Sequence, residues 1–177
     1  MAARGQWIAV GGIVGGIAFA VGAALLLTPD LGLVAPGSRA PAFQLEDLAS
    51  GDTVGLGDLQ GDVVLLNIWA TWCAPCEEEM PSMQRLHETL GDSGLRIVSV
   101  SVDQGSKDGV RRWIAERALT FQVLLDPTGR IERTYQTTGV PESFVIDRDG
   151  VIVKKVIGAE EWDAPAQRQL FRRLLAQ

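Results

Sequence analysis

Between Val63 and Gly91 the chain passes from a nearly unbroken apolar run, Val63 to Ile68, through Cys73-Ala74-Pro75-Cys76 into a segment where Met80, Met83, Leu86 and Leu90 recur at helical spacing. An apolar run that short reads as a central strand covered on both faces, and the spacing after it reads as a helix with one face in a core. Gly91 supplies the stop signal. The two cysteines, the only ones in 177 residues, therefore sit where a buried strand hands over to a helix.

That position carries chemistry. The free N–H groups and the dipole at a helix N-terminus stabilise a thiolate on Cys73, and the thiolate is the form that attacks disulfides. With only two residues between them, the thiols can close a small ring, so Cys76 can attack a mixed disulfide held by Cys73 and release the reduced partner. Cys73 is thus the expected nucleophile and Cys76 the resolving thiol, the pair forming a redox-active disulfide. One competing reading is a structural bridge in an exported domain. A bridge across so short a loop constrains the unfolded chain little, which weighs against it. Another is Cu(I) held by soft thiolates, for which a His in the late loop would be wanted and none is present.

The rest of the chain alternates strand-like and helix-like segments. Phe43-Gln44-Leu45 and Thr53-Val54 form a short hairpin around Ser50-Gly51-Asp52. Arg96 to Val102 is a second buried strand, Lys107 to Arg117 a helix with Val110, Trp113 and Ile114 on one side, and Phe121 to Leu125 a third strand. After a short helix from Ile131 to Gln136, Ser143 to Ile146 and Val151 to Val156 flank the turn Asp147-Arg148-Asp149-Gly150, and a last helix covers about Ala164 to Leu175. Strands separated by helices early and a hairpin late imply an α/β domain with a mixed sheet and helices on both faces. Trp69 and Tyr135 read as core residues. Pro81 falls inside the helix that follows the cysteines, where proline is expected to kink it.

The N-terminus has a different character. Trp7 to Leu27 contains no charged residue, and at ~1.5 Å per residue it spans the ~30 Å hydrocarbon core of a bilayer. Residues 1–28 are read as a cytoplasmic stub and an uncleaved transmembrane anchor; residues 29–41, with three prolines, as a flexible tether; and 42–177 as the folded domain. Arg4 on one side and Asp30 on the other place the N-terminus in the cytoplasm and the domain outside it. A cleaved signal peptide is the alternative, but Leu33-Val34-Ala35 is followed by Pro36 and offers no good cleavage site.

A net charge of −6 excludes a nucleic-acid partner, whose phosphates need a basic face. With two cysteines and the single His87, a four-ligand zinc site cannot close, and neither a metal nor a cofactor is expected.

Three motifs in this order, Ala40-Pro41-Ala42-Phe43, then Leu66-Asn67-Ile68-Trp69-Ala70-Thr71-Trp72-Cys73-Ala74-Pro75-Cys76, then Gly139-Val140-Pro141-Glu142-Ser143-Phe144-Val145-Ile146-Asp147, resemble the thioredoxin superfamily. Within it they resemble the membrane-anchored TlpA/ResA and DsbE (CcmG) type reductases, over about residues 40–175. The resemblance implies a thioredoxin-like fold with an N-terminal hairpin and an inserted helix-strand unit between about Leu95 and Leu125. It implies that Pro141 is a cis-proline facing the disulfide, that the Val140 backbone pairs with an extended substrate, and that Trp72 shields the sulfurs. Cytosolic thioredoxins carry a buried acid where this chain has Asn67, whereas the anchored reductases have a Glu three residues after the second Cys, here Glu79. Glu79 is accordingly expected to exchange protons with Cys76, its proton affinity raised by burial. Glu77 and Glu78 are read as a solvated first turn.

The implied function is reduction of disulfides in exported proteins, such as apocytochrome c, with electrons from a membrane thiol donor of the CcdA/DsbD type. The direction of transfer is left open by Ala74-Pro75, since ~30 mV corresponds to only ~1.4 kcal/mol. The other enzyme reading is a thiol peroxidase of the peroxiredoxin type, which shares the opening Ala-Pro-x-Phe pattern but carries Thr or Ser where Ala70 stands.

Overall fold

The computed structural model describes residues 32–177. The chain divides into two units, Met1–Leu33 and Val34–Gln177. The expected stub and anchor lie outside the described residues, among which no helix is long and apolar enough to cross a membrane.

The second unit is a seven-stranded mixed sheet with helices. In chain order its elements are β1 (Gln44–Asp47), β2 (Thr53–Gly55), β3 (Val63–Trp69), α1 (Ala74–Leu90), β4 (Leu95–Ser101), α2 (Lys107–Glu116), β5 (Gln122–Leu125), α3 (Arg130–Thr134), β6 (Glu142–Ile146), β7 (Ile152–Ile157) and α4 (Pro165–Leu175). Short 3₁₀ turns at Leu56–Leu59 and Gly91–Ser93 precede β3 and β4. The strand order is β2-β1-β5-β4-β3-β6-β7. Pairs β3/β4 and β4/β5 are parallel, and the β3/β6, β6/β7, β1/β2 and β1/β5 pairs are antiparallel.

The apolar run at Val63 lands in the middle of this order, which is why all seven residues of β3 are buried. Right-handed crossovers from β3 to β4 and from β4 to β5 put α1 and α2 on one face. There α1 meets the C-cap of α2 through Glu77 and Arg117, Nη2 to Oε1 2.7 Å, and the loop after α2 through Gln84 and Thr120, Nε2 to Oγ1 2.8 Å. Trp69 at the end of β3 stacks on Trp113 of α2 with ring centroids 4.7 Å apart. Tyr135 lies between Phe43 and Phe144 and donates its hydroxyl to the Pro41 carbonyl at 2.7 Å. Both Trp69 and Tyr135 are fully buried. α1 runs through Pro81 to Leu90 as one helix.

The turn between β6 and β7 is held by Asp147, whose carboxylate accepts from the N–H groups of Asp149 and Val151 at 3.0 and 2.9 Å, while Gly150 takes a φ of +79°. Only glycine adopts that conformation without steric cost.

The stretch read as a flexible tether behaves differently from Val34 onward. Val34 is buried, the Gly37 N–H donates to Ile152 O at 2.8 Å, and Ile152 N–H donates back to Ser38 O at 2.9 Å. The Ala40 N–H reaches Gly150 O at 2.9 Å. The physical reason is the sheet edge: the first residues of β7 present backbone groups with no inner partner, and the segment zips along them. The proline and glycine content that suggests a linker suits an irregular edge segment equally well.

Candidate active site

The β3 to α1 junction holds the cysteines. Trp69 O closes the strand by accepting from Val102 N–H at 2.9 Å, and the Cys73 N–H folds back to Ala70 O at 3.2 Å. Cys73 is the N-cap of α1, in an extended conformation, and proline occupies the first turn, where a missing N–H costs the helix nothing. The Cys76 N–H donates to Cys73 Sγ at 3.2 Å. Thus Cys73 sulfur takes the place of the usual capping oxygen and receives a helix N-terminal hydrogen bond. The two sulfurs form a disulfide, with Cys73 5 % exposed and Cys76 0 % exposed. Of the two, only Cys73 keeps any exposure.

Trp72, next to it, is 70 % exposed, so most of its ring faces solvent. The Val140–Pro141 peptide bond is cis. Pairing of Ile68 with Glu142 and of Asn67 with Ser143 brings Pro141 to the same end of the sheet as the β3 to α1 junction. The Pro141 carbonyl is taken by Gly158 N–H at 2.9 Å, while the Val140 N–H and C=O bond to no other described residue. Trp72, Val140 and Pro141 thus share one end of the sheet with the disulfide.

Glu79 lies one helical turn beyond Cys76, on the inward side of α1, and is 2 % exposed. Oε1 accepts from Asn67 Nδ2 at 2.8 Å, and Oε2 from Trp162 Nε1 and the Glu160 N–H, both at 3.2 Å. Burial pushes its pKa up from 4.5 to about 7, partly offset by those hydrogen bonds and reinforced by the charge of Glu160. Glu77 and Glu78 are exposed, and Glu77 pairs with Arg117.

Sequence reasoning missed three contributors. Asp103, just past β4, accepts from the Thr71 N–H at 2.9 Å, from the Thr71 hydroxyl at 2.6 Å and from the Ser101 hydroxyl at 2.8 Å. It fixes the turn that presents Trp72 and Cys73 from a strand more than thirty residues away. Trp162 and Glu160, in the loop after β7, enclose Glu79. Replacing Asp103 by Ala leaves the Thr71 N–H and hydroxyl without this acceptor and should lower the unfolding free energy of the oxidised chain by about 1–3 kcal/mol, measured by urea titration.

A groove of about 930 Å³ lined by His87, Leu119 and Phe121 among others contains none of these groups. A protein disulfide is itself bulky and exposed, so exchange needs an accessible sulfur and not a deep cavity.

A helix-capped Cys-x-x-Cys disulfide, a cis-proline at the same sheet end and a buried carboxyl one turn below define a thiol-disulfide oxidoreductase built on a thioredoxin-like α/β fold. The AhpC/TSA family model matches residues 36–155. The thiol-disulfide oxidoreductase ResA of Bacillus cereus (strain ZK / E33L) is 39 % identical over 124 residues, 70 % of each chain. ResA of Bacillus subtilis (strain 168) is 37 % identical over 125 residues, 71 % of this chain and 69 % of its own. A Chlorobium tepidum crystal structure described as a thiol:disulfide interchange protein DsbE superposes with a TM-score of 0.73 at 32 % identity, covering 80 % of this chain and 99 % of that one. The chain belongs to the AhpC/TSA family and, within it, groups with the ResA-type thiol-disulfide oxidoreductases.

Proposed function

We propose that this protein reduces disulfides in exported proteins, apocytochrome c being the favoured substrate, from a single-pass anchor at Trp7 to Leu27 with its N-terminus in the cytoplasm. Residues 1–28 then form the stub and anchor, and the tether shortens to the residues before Val34. In the reduced enzyme, the Cys73 thiolate attacks one sulfur of the substrate disulfide. A mixed disulfide forms and the other substrate sulfur leaves as a thiolate. Cys76 then gives its proton to the Glu79 carboxylate and attacks Cys73 Sγ. The second substrate sulfur is expelled and protonated, and the enzyme is left with the Cys73–Cys76 disulfide. Two electrons have moved from enzyme to substrate. A membrane dithiol donor of the CcdA/DsbD type restores the thiols by the same exchange in reverse.

The observation that carries this reading is the hydrogen bond from Cys76 N–H to Cys73 Sγ at a helix N-terminus, together with Cys73 being the one of the two cysteines that keeps any exposure, 5 % against 0 %. A thiolate there keeps the same donor and gains the dipole. The unbonded Val140 backbone supports a role in pairing with an extended segment, with Pro141 and the exposed Trp72 beside it, in the manner of strand addition. ResA and DsbE relatives support the substrate class. Chain orientation rests on Arg4 and Asp30.

The test is trapping. Cys76→Ser, expressed in its host, should accumulate partners as mixed disulfides on Cys73 that dithiothreitol releases, with exported proteins among them. Recovery of cytoplasmic partners alone, or of none while the variant is folded and reduced, would overturn the proposal. Peroxide turnover by the wild-type chain without a disulfide substrate would favour the thiol peroxidase reading instead.

A further inference from the structure

The start of α1 is crowded with acids as well as sulfur. Glu77, Glu78 and Glu79 follow Cys76 directly, and Asp103 holds the Thr71 N–H at 2.9 Å on the other side of the cysteines. Glu77 lies in the first turn, where its own N–H donates to Cys73 O at 3.2 Å. A carboxylate in that turn suits the helix dipole. It also opposes a second negative charge nearby, and the attacking form of Cys73 is an anion.

Arg117 supplies the opposite charge. From the C-cap of α2 it sets Nε and Nη2 on Glu77 Oε1, at 3.1 and 2.7 Å. Among the described residues it is the one cation that forms an ion pair with Glu77, Glu78, Glu79 or Asp103. Its Nη1 donates to Trp113 O at 3.2 Å, and its guanidinium carbon lies 3.9 Å from the centre of the Trp113 ring, a stacking that suits the planar cation. Trp113 in turn stacks on Trp69, fully buried at the end of the strand that leads to the cysteines. The Arg117 side chain is therefore 28 % exposed, where Arg85, Arg96 and Arg111 in other ion pairs keep 50, 60 and 51 %. Exposed ion pairs add little to stability. What this one changes is the electric field at the first turn of α1.

We infer that Arg117 is a positioning residue of the redox site, acting through Glu77: it cancels the Glu77 charge beside Cys73 and so favours the attacking thiolate. The arginine touches neither sulfur nor substrate, and its fork on Glu77, backed by the Trp113 and Trp69 rings, fixes where the positive charge stands. Besides Glu78, Glu79 and Asp103, the charged groups at this end are Glu116, which Arg117 Nη1 reaches at 3.7 Å, the pair of Glu142 with Lys155 at 2.8 Å, and the pair of Glu160 with Lys154 at 3.6 Å. Both lysines are thus committed to carboxylates of their own. The inference rests on the proposed role of Cys73 as the attacking sulfur.

The experiment follows alkylation of Cys73 against pH in the reduced full chain, read by mass spectrometry of the modified peptide. Arg117→Ala should raise the midpoint by about half a unit, the order of one uncompensated charge acting through a largely aqueous medium. The thiolate fraction below the midpoint then falls about threefold. Arg117→Lys, which keeps the charge, should stay near the wild-type midpoint. Adding Glu77→Gln to Arg117→Ala should bring the midpoint back to the wild-type value or below it, and 1 M salt, with a screening length of about 3 Å, should shrink the shift. Glu77→Gln alone leaves the Arg117 stack on Trp113 in place and should lower the midpoint, a readout that survives even if Arg117→Ala does not fold. An unmoved midpoint in either single variant, or a shift that persists in the double variant or in 1 M salt, would overturn the inference. A wild-type Cys73 midpoint at or above that of a free thiol would instead count against Cys73 as the attacker, so the two failures are distinct.

Discussion

Replacing Cys73 by Ser is expected to abolish catalytic reduction of a protein disulfide, lowering turnover of insulin with dithiothreitol as electron source by about 10⁴-fold or more, the scale on which loss of a covalent nucleophile acts. A serine hydroxyl in the same N-cap position keeps the helix capped, so stability of the reduced chain should change little. The loss is chemical: the hydroxyl is not ionised at neutral pH and does not attack sulfur. Cys76→Ser should behave differently, because its Cys73 still performs the first attack. One equivalent of substrate should be captured per chain, and turnover should then stall. Equal residual turnover in the two variants would remove the distinction between attacker and resolver.

Glu79→Gln should slow resolution of the mixed disulfide by about 10²-fold, the lower end of what a positioned acid or base contributes. The sign of the pH dependence follows from its pKa of about 7. Above that pH the carboxylate can take the Cys76 proton, so the wild-type rate should rise through about pH 7. The variant should instead follow the thiol itself, near pH 8.5. The same group sets a stability trend. Its folded pKa is raised above the ordinary 4.5, so the folded state binds the proton more tightly than the unfolded one. Its contribution is complete below about pH 4.5 and is lost as pH climbs through 7, a fall of about 2–3 kcal/mol by urea titration of the oxidised chain. The variant should lack that slope. A wild-type stability that stays flat between pH 5 and 8 would contradict the burial argument.

Local sequence signals carried much of this domain. The apolar run at Val63 to Ile68, the Met80 to Leu90 spacing and the turn at Asp147 to Gly150 each depend on neighbours in the chain, and each element forms within a residue or two of its expected place. The partnership of β1 with β5 was not legible, because it joins segments some eighty residues apart with nothing in either strand to specify the other. The same limit hid the binding of Val34 to Pro41 to the β7 end, since a Pro-Gly-rich segment has no pattern that distinguishes a free linker from an edge strip.

At the site, Cys73 and Cys76 could be read from spacing alone, whereas Pro141 and Glu79 drew on resemblance. What stayed hidden were groups that act on these residues from elsewhere. Asp103 and Trp162 look like an ordinary turn acid and an ordinary loop aromatic until the sheet folds them onto Thr71 and Glu79. Asn67 is instructive in another way. In the sequence it marks a missing acid; in the fold it is a hydrogen-bond donor to the acid that stands one helix away.

The most direct measurement is the rate of alkylation of each sulfur in the reduced full chain as a function of pH, resolved by mass spectrometry of the modified peptides. The expected result is that Cys73 reacts first, with a midpoint clearly below the 8.5 of a free thiol, while Cys76 stays protected until the chain is unfolded. Equal reactivity of the two sulfurs, or a Cys73 midpoint at or above 8.5, would contradict a helix-stabilised thiolate as the attacking group.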